Sequence, residues 1–267
     1  MGGSRAQMSK PFVTYAREGA IALIGLNRPD KRNAISDAVV EALAAAVERA
    51  AGEAKAGVIH GVGEHFCAGL DLAEHVNKTP IEGIYGSRRW HEVFDRIQRG
   101  TIPFVAALHG AVVGGGLELA AAAHIRVAAT PAFFALPEGQ RGIFVGGGGS
   151  VRVARLMTAA RMADLMLTGR VLDAHEGERC NLVQYVVAAG TALAKAKELA
   201  QVAASNAPLS NYAVINALPR IQDMAQDDGL FVESLVAAFT QTSPEANERL
   251  KAFLDKRAAK VAAPHKG

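Results

Sequence analysis

The chain has 267 residues, 50% of them hydrophobic and 21% charged, with a formal net charge of +3. That length buries a substantial core, that composition excludes a disordered chain, and so weak a charge excludes the broad basic field of a nucleic-acid binder. The two cysteines, Cys67 and Cys180, cannot make a disulfide framework and fit a reducing, cytoplasmic setting, and no apolar run reaches the ~18 residues of a membrane span.

Residues 1–10 read as a disordered tail or cloning remnant, with Met8 a second candidate start. Val13 to Arg17 and Ala20 to Leu26 are predicted strands of a hairpin around Glu18-Gly19. Asn27-Arg28-Pro29-Asp30 breaks the chain, and Ser36 or Asp37 can cap a helix through Ala51. A short strand, Gly57 to Gly61, runs into the loop Glu64-His65-Phe66-Cys67-Ala68-Gly69-Leu70-Asp71. A helix around Arg88 to Gln98 precedes the strand Phe104 to Leu108, which ends in His109-Gly110-Ala111-Val112-Val113-Gly114-Gly115-Gly116 and opens a helix carrying Glu118. A strand pair, Ile125 to Ala129 and Ala132 to Leu136, leads to Pro137-Glu138. Gly146 to Gly149 opens the next helix, Asp173 and Glu176 have capping-box spacing, and Leu182 to Val187 is the last strand. Helical patterns follow at Thr191 to Ala204, Leu209 to Met224, Leu230 to Thr240 and Ser243 to Lys260. Residues 11–200 therefore read as an α/β core with the site, and 201–267 as a helical oligomerisation region.

Three segments carry candidate chemistry. Gly114-Gly115-Gly116-Leu117-Glu118 lets the backbone approach a ligand at a helix N-terminus, whose unpaired N–H groups suit a developing oxyanion. Ala68-Gly69 is a second strand-to-loop passage able to aim an N–H into a cleft, and Pro137 fixes the entry of Glu138. Each alone reads as ordinary turn chemistry. Together they meet the needs of adding water to a double bond conjugated to a thioester: two N–H donors for the thioester oxygen, one carboxylate to take a proton from water, and a second carboxyl to deliver one to the alpha carbon.

The ordered set Asn27-Arg28-Pro29-Asp30-Lys31-Arg32-Asn33-Ala34, Phe66-Cys67-Ala68-Gly69-Leu70-Asp71-Leu72, Gly114-Gly115-Gly116-Leu117-Glu118-Leu119-Ala120, Pro137-Glu138, Leu167-Thr168-Gly169-Arg170 and Ala252-Phe253-Leu254-Asp255-Lys256-Arg257 resembles the crotonase superfamily over nearly the whole chain, and the enoyl-CoA hydratases most. The resemblance implies a spiral of ββα units with a C-terminal helical trimerisation region, in trimers or hexamers. It implies Ala68 and Gly115 as oxyanion-hole donors, and Glu118 and Glu138 as the catalytic pair, Glu118 activating water and Glu138 protonating the alpha carbon. Ala68, Gly69, Leu70, Asp71 and Gly115 would contact an acyl-CoA substrate; no metal and no cofactor beyond the substrate's own coenzyme A is expected. Isomerisation, or reaction of a carnitinyl, aromatic or sulfur-bearing acyl group, is the nearest rival.

Some relatives bind RNA, but the first long helix sets only Arg49 and Lys55 against Glu41, Glu48 and Glu53, which argues against nucleic acid. This chain departs from the family at His124, where an aspartate is common, and at Ile143-Phe144-Val145-Gly146 and Ser150-Val151-Arg152. His65 reads as a solvent-edge residue, Cys67 as small filler, and Trp90 and Tyr85 as pocket wall or helix packing. His60, His75 and His109 lack metal-binding spacing. Lys251, Lys256 and Arg257 are candidate partners of coenzyme phosphates.

Overall fold

A computed structural model describes residues 10–74, 76 and 78–257. Residues 1–9 of the expected N-terminal tail, His75 and the end of the last predicted helix lie outside them.

Two sheets organise the described residues up to Ala204. β1 (Val13–Glu18) and β2 (Ile21–Leu26) form the expected antiparallel hairpin, turned at Gly19 with φ of 59°. β2 then pairs in parallel with β3 (Ala56–Gly61), which pairs with β4 (Phe104–Leu108), followed by β6 (Ile125–Ala129) and β9 (Tyr185–Val187). A smaller sheet takes the order β5-β7-β8, from Ala111–Val113, Phe133–Ala135 and Leu172–Asp173. The sequence reading made β6 and β7 a pair. They instead join different sheets: after Thr130-Pro131 the chain turns, Thr130 N–H donating to Val187 O and Phe133 N–H to Gly110 O. The strand β5 went unpredicted because Ala111–Val113 is only three residues long.

Parallel strands buried on both faces need continuous apolar sequence, and β2 and β4 are buried at every position. One face of the larger sheet meets α7 (Ala192–Ser205) through Ala192, Ala196, Ala200 and Ala204, an i, i+4 stripe that lets the helix lie close on Leu23, Val58, Val105 and Val127. The other face packs Ile24, Ile59, Phe104 and Leu108 with α1 (Asp37–Glu53), α2 (Pro80–Gln98) and α3 (Gly115–Ala122) in the main core.

Ser36 caps α1 through its side chain, as expected. α2 begins eight residues before its predicted start at Arg88, on a full capping box of Thr79 and Glu82 with Pro80 in the first turn. Gly83 and Gly86 obscure that signal, because glycine inside a helix costs roughly 1 kcal/mol against alanine. α4 (Gly149–Met157) follows the glycine cluster, α5 (Ala159–Thr168) went unpredicted, and α6 (Ala174–Arg179) starts on the anticipated Asp173–Glu176 capping box.

Ser205 onward forms a second compact unit of helices. The single helix expected over Leu209 to Met224 is two, α8 (Pro208–Asn216) and α9 (Leu218–Ile221), because Pro219 cannot continue a helical hydrogen-bond ladder. α10 (Gln226–Gln241) carries exposed Phe231, Leu235 and Phe239 at i, i+4 and i+8, and α11 (Pro244–Leu254) is capped by Ser243.

Candidate active site

The loop after β3 is fixed by backbone pairing on both sides. Cys67 N–H donates to Ala111 O, and Val113 N–H returns to Cys67 O, tying the loop to β5 at 2.9 and 3.0 Å. On the other side Ala68 N–H donates to Arg32 O (2.9 Å), Ile35 N–H to Gly69 O (2.7 Å) and Asp71 N–H to Ile35 O (2.9 Å). Gly69, at φ +97°, supplies the left-handed step between them. Ala68 thus corrects the sequence reading: its N–H is spent on Arg32 and is not available to an oxyanion. Leu70 N–H has no acceptor among the described residues and belongs to the cavity lining.

Gly115, the first residue of α3, likewise has an N–H with no acceptor among the described residues, as helix first-turn donors do. A Cβ placed on Gly115 would come 3.6 Å from Leu70 N and strike the Trp90 ring at 2.6 Å, so glycine is required by packing against Trp90. Leu70 and Gly115 thus lie close together and line the same cavity.

Glu118, in the first turn of α3, is 3% exposed, and its Oε1 accepts hydrogen bonds from Gly147 N–H (2.8 Å) and Gly149 N–H (2.7 Å). Burial pushes its pKa up to about 7; the two donors oppose that rise and the neighbouring Glu138 adds to it. Glu138 precedes a single 3-10 turn, Gly139–Arg141, is 6% exposed, and its Oε2 is buried without a hydrogen-bond partner among the described residues. Burial raises its pKa too, against a hydrogen bond from its own backbone N–H and the field of Arg141. Hydrogen bonding distinguishes the two: a pair of N–H donors opposes the rise at Glu118, while one oxygen of Glu138 has no partner among the described residues.

Both glutamates, Gly69, Leu70, Gly114 and Gly115 line one cavity of ≈ 400 Å³, bounded further by α2 and by Ile143, Phe144 and Val145. Of the other predicted binding residues, neither Ala68 nor Asp71 lines it. Asp71 pairs with Arg28 at 3.0 Å instead.

The family model for Enoyl-CoA hydratase/isomerase matches residues 16–263. The chain belongs to that family. Among its relatives, an enoyl-CoA hydratase of Mycobacterium tuberculosis is 31% identical over 94% of this chain and 96% of its own. A 2,3-dehydroadipyl-CoA hydratase of Escherichia coli is 32% identical over 92% and 96%. A crystal structure of a Rhodopseudomonas palustris protein assigned to the enoyl-CoA hydratases is 51% identical, covers 96% of this chain and 100% of its own, and superposes with a TM-score of 0.90. The chain is a hydratase-like enzyme of the crotonase fold, and acyl-CoA binding comes with that family.

In this hydratase-like enzyme the remaining motif residues are supports. Asn33, 2% exposed and left-handed at φ 56°, accepts from Arg28 N–H and donates to Val62 O and His65 O, while Arg28 Nη1 reaches Ala34 O. That cluster holds the Arg32 carbonyl that fixes Ala68 and so aims Leu70. Arg152, 8% exposed, donates to Gly147 O and pairs with Asp95, holding the loop that grips Glu118. The glycine run was visible in the sequence, but nothing there showed its N–H groups turning toward Glu118. His124, standing where the family commonly has aspartate, accepts from Phe104 N–H and meets Gln98 O; burial pulls its pKa down to about 4, so it is neutral and bridges α2 to β4.

Burial pushes the Cys67 thiol up to about 12, which makes it an inert filler. His65 is a backbone buttress, its Nδ1 accepting from Ala111 N–H. Trp90 lines the cavity and Tyr85 does not. Arg257 pairs with Asp255, and Lys251 and Lys256 are exposed. Among the described residues no group of three His, Cys, Asp or Glu side chains could hold a metal, and no helix is long and apolar enough to cross a membrane.

Proposed function

We propose that the enzyme adds water across the double bond of a 2-enoyl-CoA to give a 3-hydroxyacyl-CoA. Leu70 and Gly115 N–H groups receive the thioester oxygen, whose charge grows as the β-carbon is attacked. A single donor of this kind is typically worth about 3 kcal/mol in the transition state. Glu118, as the carboxylate, takes one proton from water while the water oxygen bonds to the β-carbon. Glu138, as the acid, gives its proton to the alpha carbon. Product release and proton exchange with water then restore both groups. The reaction is redox-neutral, and the expected cofactor requirement is nothing beyond the coenzyme A of the substrate.

One observation carries this reading: two buried glutamates of opposite hydrogen-bond character line the same cavity as two open N–H donors. Double-bond isomerisation shuttles a proton between carbons and requires no activated water, so it leaves one of the pair without a task. Glu118→Gln and Glu138→Gln should each lower turnover of a 2-enoyl-CoA by roughly 100- to 10,000-fold, with the fold unchanged by circular dichroism. Near-normal hydration in either variant rejects the assignment, and faster turnover of a 3-enoyl than of a 2-enoyl thioester by the wild type makes it an isomerase. We further propose a homo-trimer or hexamer built through the C-terminal helices, in keeping with the exposed apolar residues of α10, and a cytoplasmic setting in keeping with two buried free cysteines.

A further inference from the structure

We infer that the acyl cavity is shaped for a bulky 2-enoyl group, one bearing a ring or branch beyond its β-carbon, and that Gly83 and Gly86 of α2 make the room. The inference rests on the cavity being the acyl-CoA site.

Pro80, Gly83, Gly86, Ser87 and Trp90 put one face of α2 onto the cavity. Gly86 and Gly83 stand four and seven residues before Trp90, roughly 6 and 10 Å along the helix axis. Neither glycine is needed for close packing: a Cβ at either would meet nothing within 4 Å, and neither backbone is left-handed. Gly115, Gly147 and Gly149 behave oppositely, since a Cβ there would strike Trp90 or Glu118 at 3.1 Å or less. Glycine within a helix is costlier than any residue but proline. What positions 83 and 86 gain in return is open volume.

The surrounding walls are apolar. Trp90 closes the end beside Gly115, and Ile143, Phe144 and Val145 supply a second apolar wall. Phe144 stands 68% exposed, leaving most of its ring available to a ligand. Glu138 points to a ligand independently, being 6% exposed with an unpartnered buried oxygen in the lining of this same cavity. A short linear chain would leave the space beside Gly83 and Gly86 unfilled, whereas a ring or branch would place apolar surface there.

The test uses the full-length protein, Gly83→Leu and Gly86→Leu, with Gly83→Ala and Gly86→Ala as smaller steps; leucine favours helix, so α2 is retained. Calorimetry measures binding of the saturated thioesters 3-phenylpropanoyl-CoA and butanoyl-CoA, and absorbance follows turnover of cinnamoyl-CoA and crotonyl-CoA. The wild type should bind 3-phenylpropanoyl-CoA at least tenfold more tightly than butanoyl-CoA. Each leucine should remove at least tenfold of that preference, with alanine intermediate. Equal binding of both thioesters by the wild type, or equal losses on both in the leucine variants, overturns the inference. Saturated thioesters bind whatever the reaction is. A wild type that discriminates by size but hydrates neither enoyl thioester therefore sinks the hydration reading alone, while hydration without size preference sinks this one alone.

Discussion

Glu118 and Glu138 are twenty residues apart in the chain, both nearly inaccessible, and both raised in pKa by burial. They differ in what surrounds their oxygens. Glu118 sits in a grip of two backbone N–H groups from the glycine run, whereas Glu138 keeps an oxygen that no described group satisfies. The difference teaches that two chemically identical side chains, both buried, can still differ in how the fold satisfies their oxygens; we propose that this difference suits them to opposite proton transfers.

The strongest way to break that comparison is the pH dependence of the two glutamine variants, whose losses should reach 100- to 10,000-fold. Wild-type kcat/KM should climb with pH through about 7 as Glu118 ionises. Glu138→Gln should keep that acid limb and Glu118→Gln should lose it; the opposite pattern exchanges the two roles.

Next in size is a backbone substitution. Replacing the Leu70 peptide N–H by an ester oxygen should cost about 100- to 1,000-fold in kcat. The same change at Ala68 removes only the bond to Arg32 O and should lower stability by about 1 kcal/mol with far less effect on rate. Equal rate losses at both positions would return Ala68 to the oxyanion site.

Stability should also report the Glu118 environment. Its folded-state pKa lies at about 7, above the ordinary 4.5, so the native state holds a proton that the unfolded chain releases earlier. Its contribution is intact below about 4.5 and is lost as pH rises through about 7. Over that window the wild type should lose on the order of 3 kcal/mol relative to Glu118→Gln, at about 1.4 kcal/mol per pH unit. Urea titrations of both proteins at pH 4.5 and 8 measure it, and parallel pH dependence would show that Glu118 titrates normally.

Asn33→Ala leaves Val62 O, His65 O and Arg28 N–H without their partner and places alanine in a left-handed backbone; roughly 3 kcal/mol of stability should go, with KM raised as the Leu70 loop loosens. Thr79→Ala, at the exposed start of α2, should cost only about 1 kcal/mol.

Strands and caps were legible wherever the signal is local. β4 runs over the predicted residues, Ser36 and Asp173 cap as their side chains require, and the glycine-led turn into Glu118 announces a helix N-terminus. The candidate acids were named through the resemblance to the crotonase superfamily, and the fold places both on one cavity. The start of α2 was hidden by its glycines, and the separation of β6 from β7 into two sheets depends on partners, Val187 and Gly110, that local sequence does not name.

What the sequence by itself determined is the inventory: buried strands, small residues at two loop-to-helix passages, and two glutamates at fixed spacing. Only the tertiary structure decided which N–H groups stay free, because a donor's availability depends on whether a distant carbonyl reaches it. Arg32 O reaches Ala68 and leaves Leu70 open. In the same way the Gly147 and Gly149 donors, some thirty residues along the chain, give Glu118 an environment that Glu138 does not share. Side-chain identity is local, but solvation and hydrogen bonding are properties of what the fold brings near.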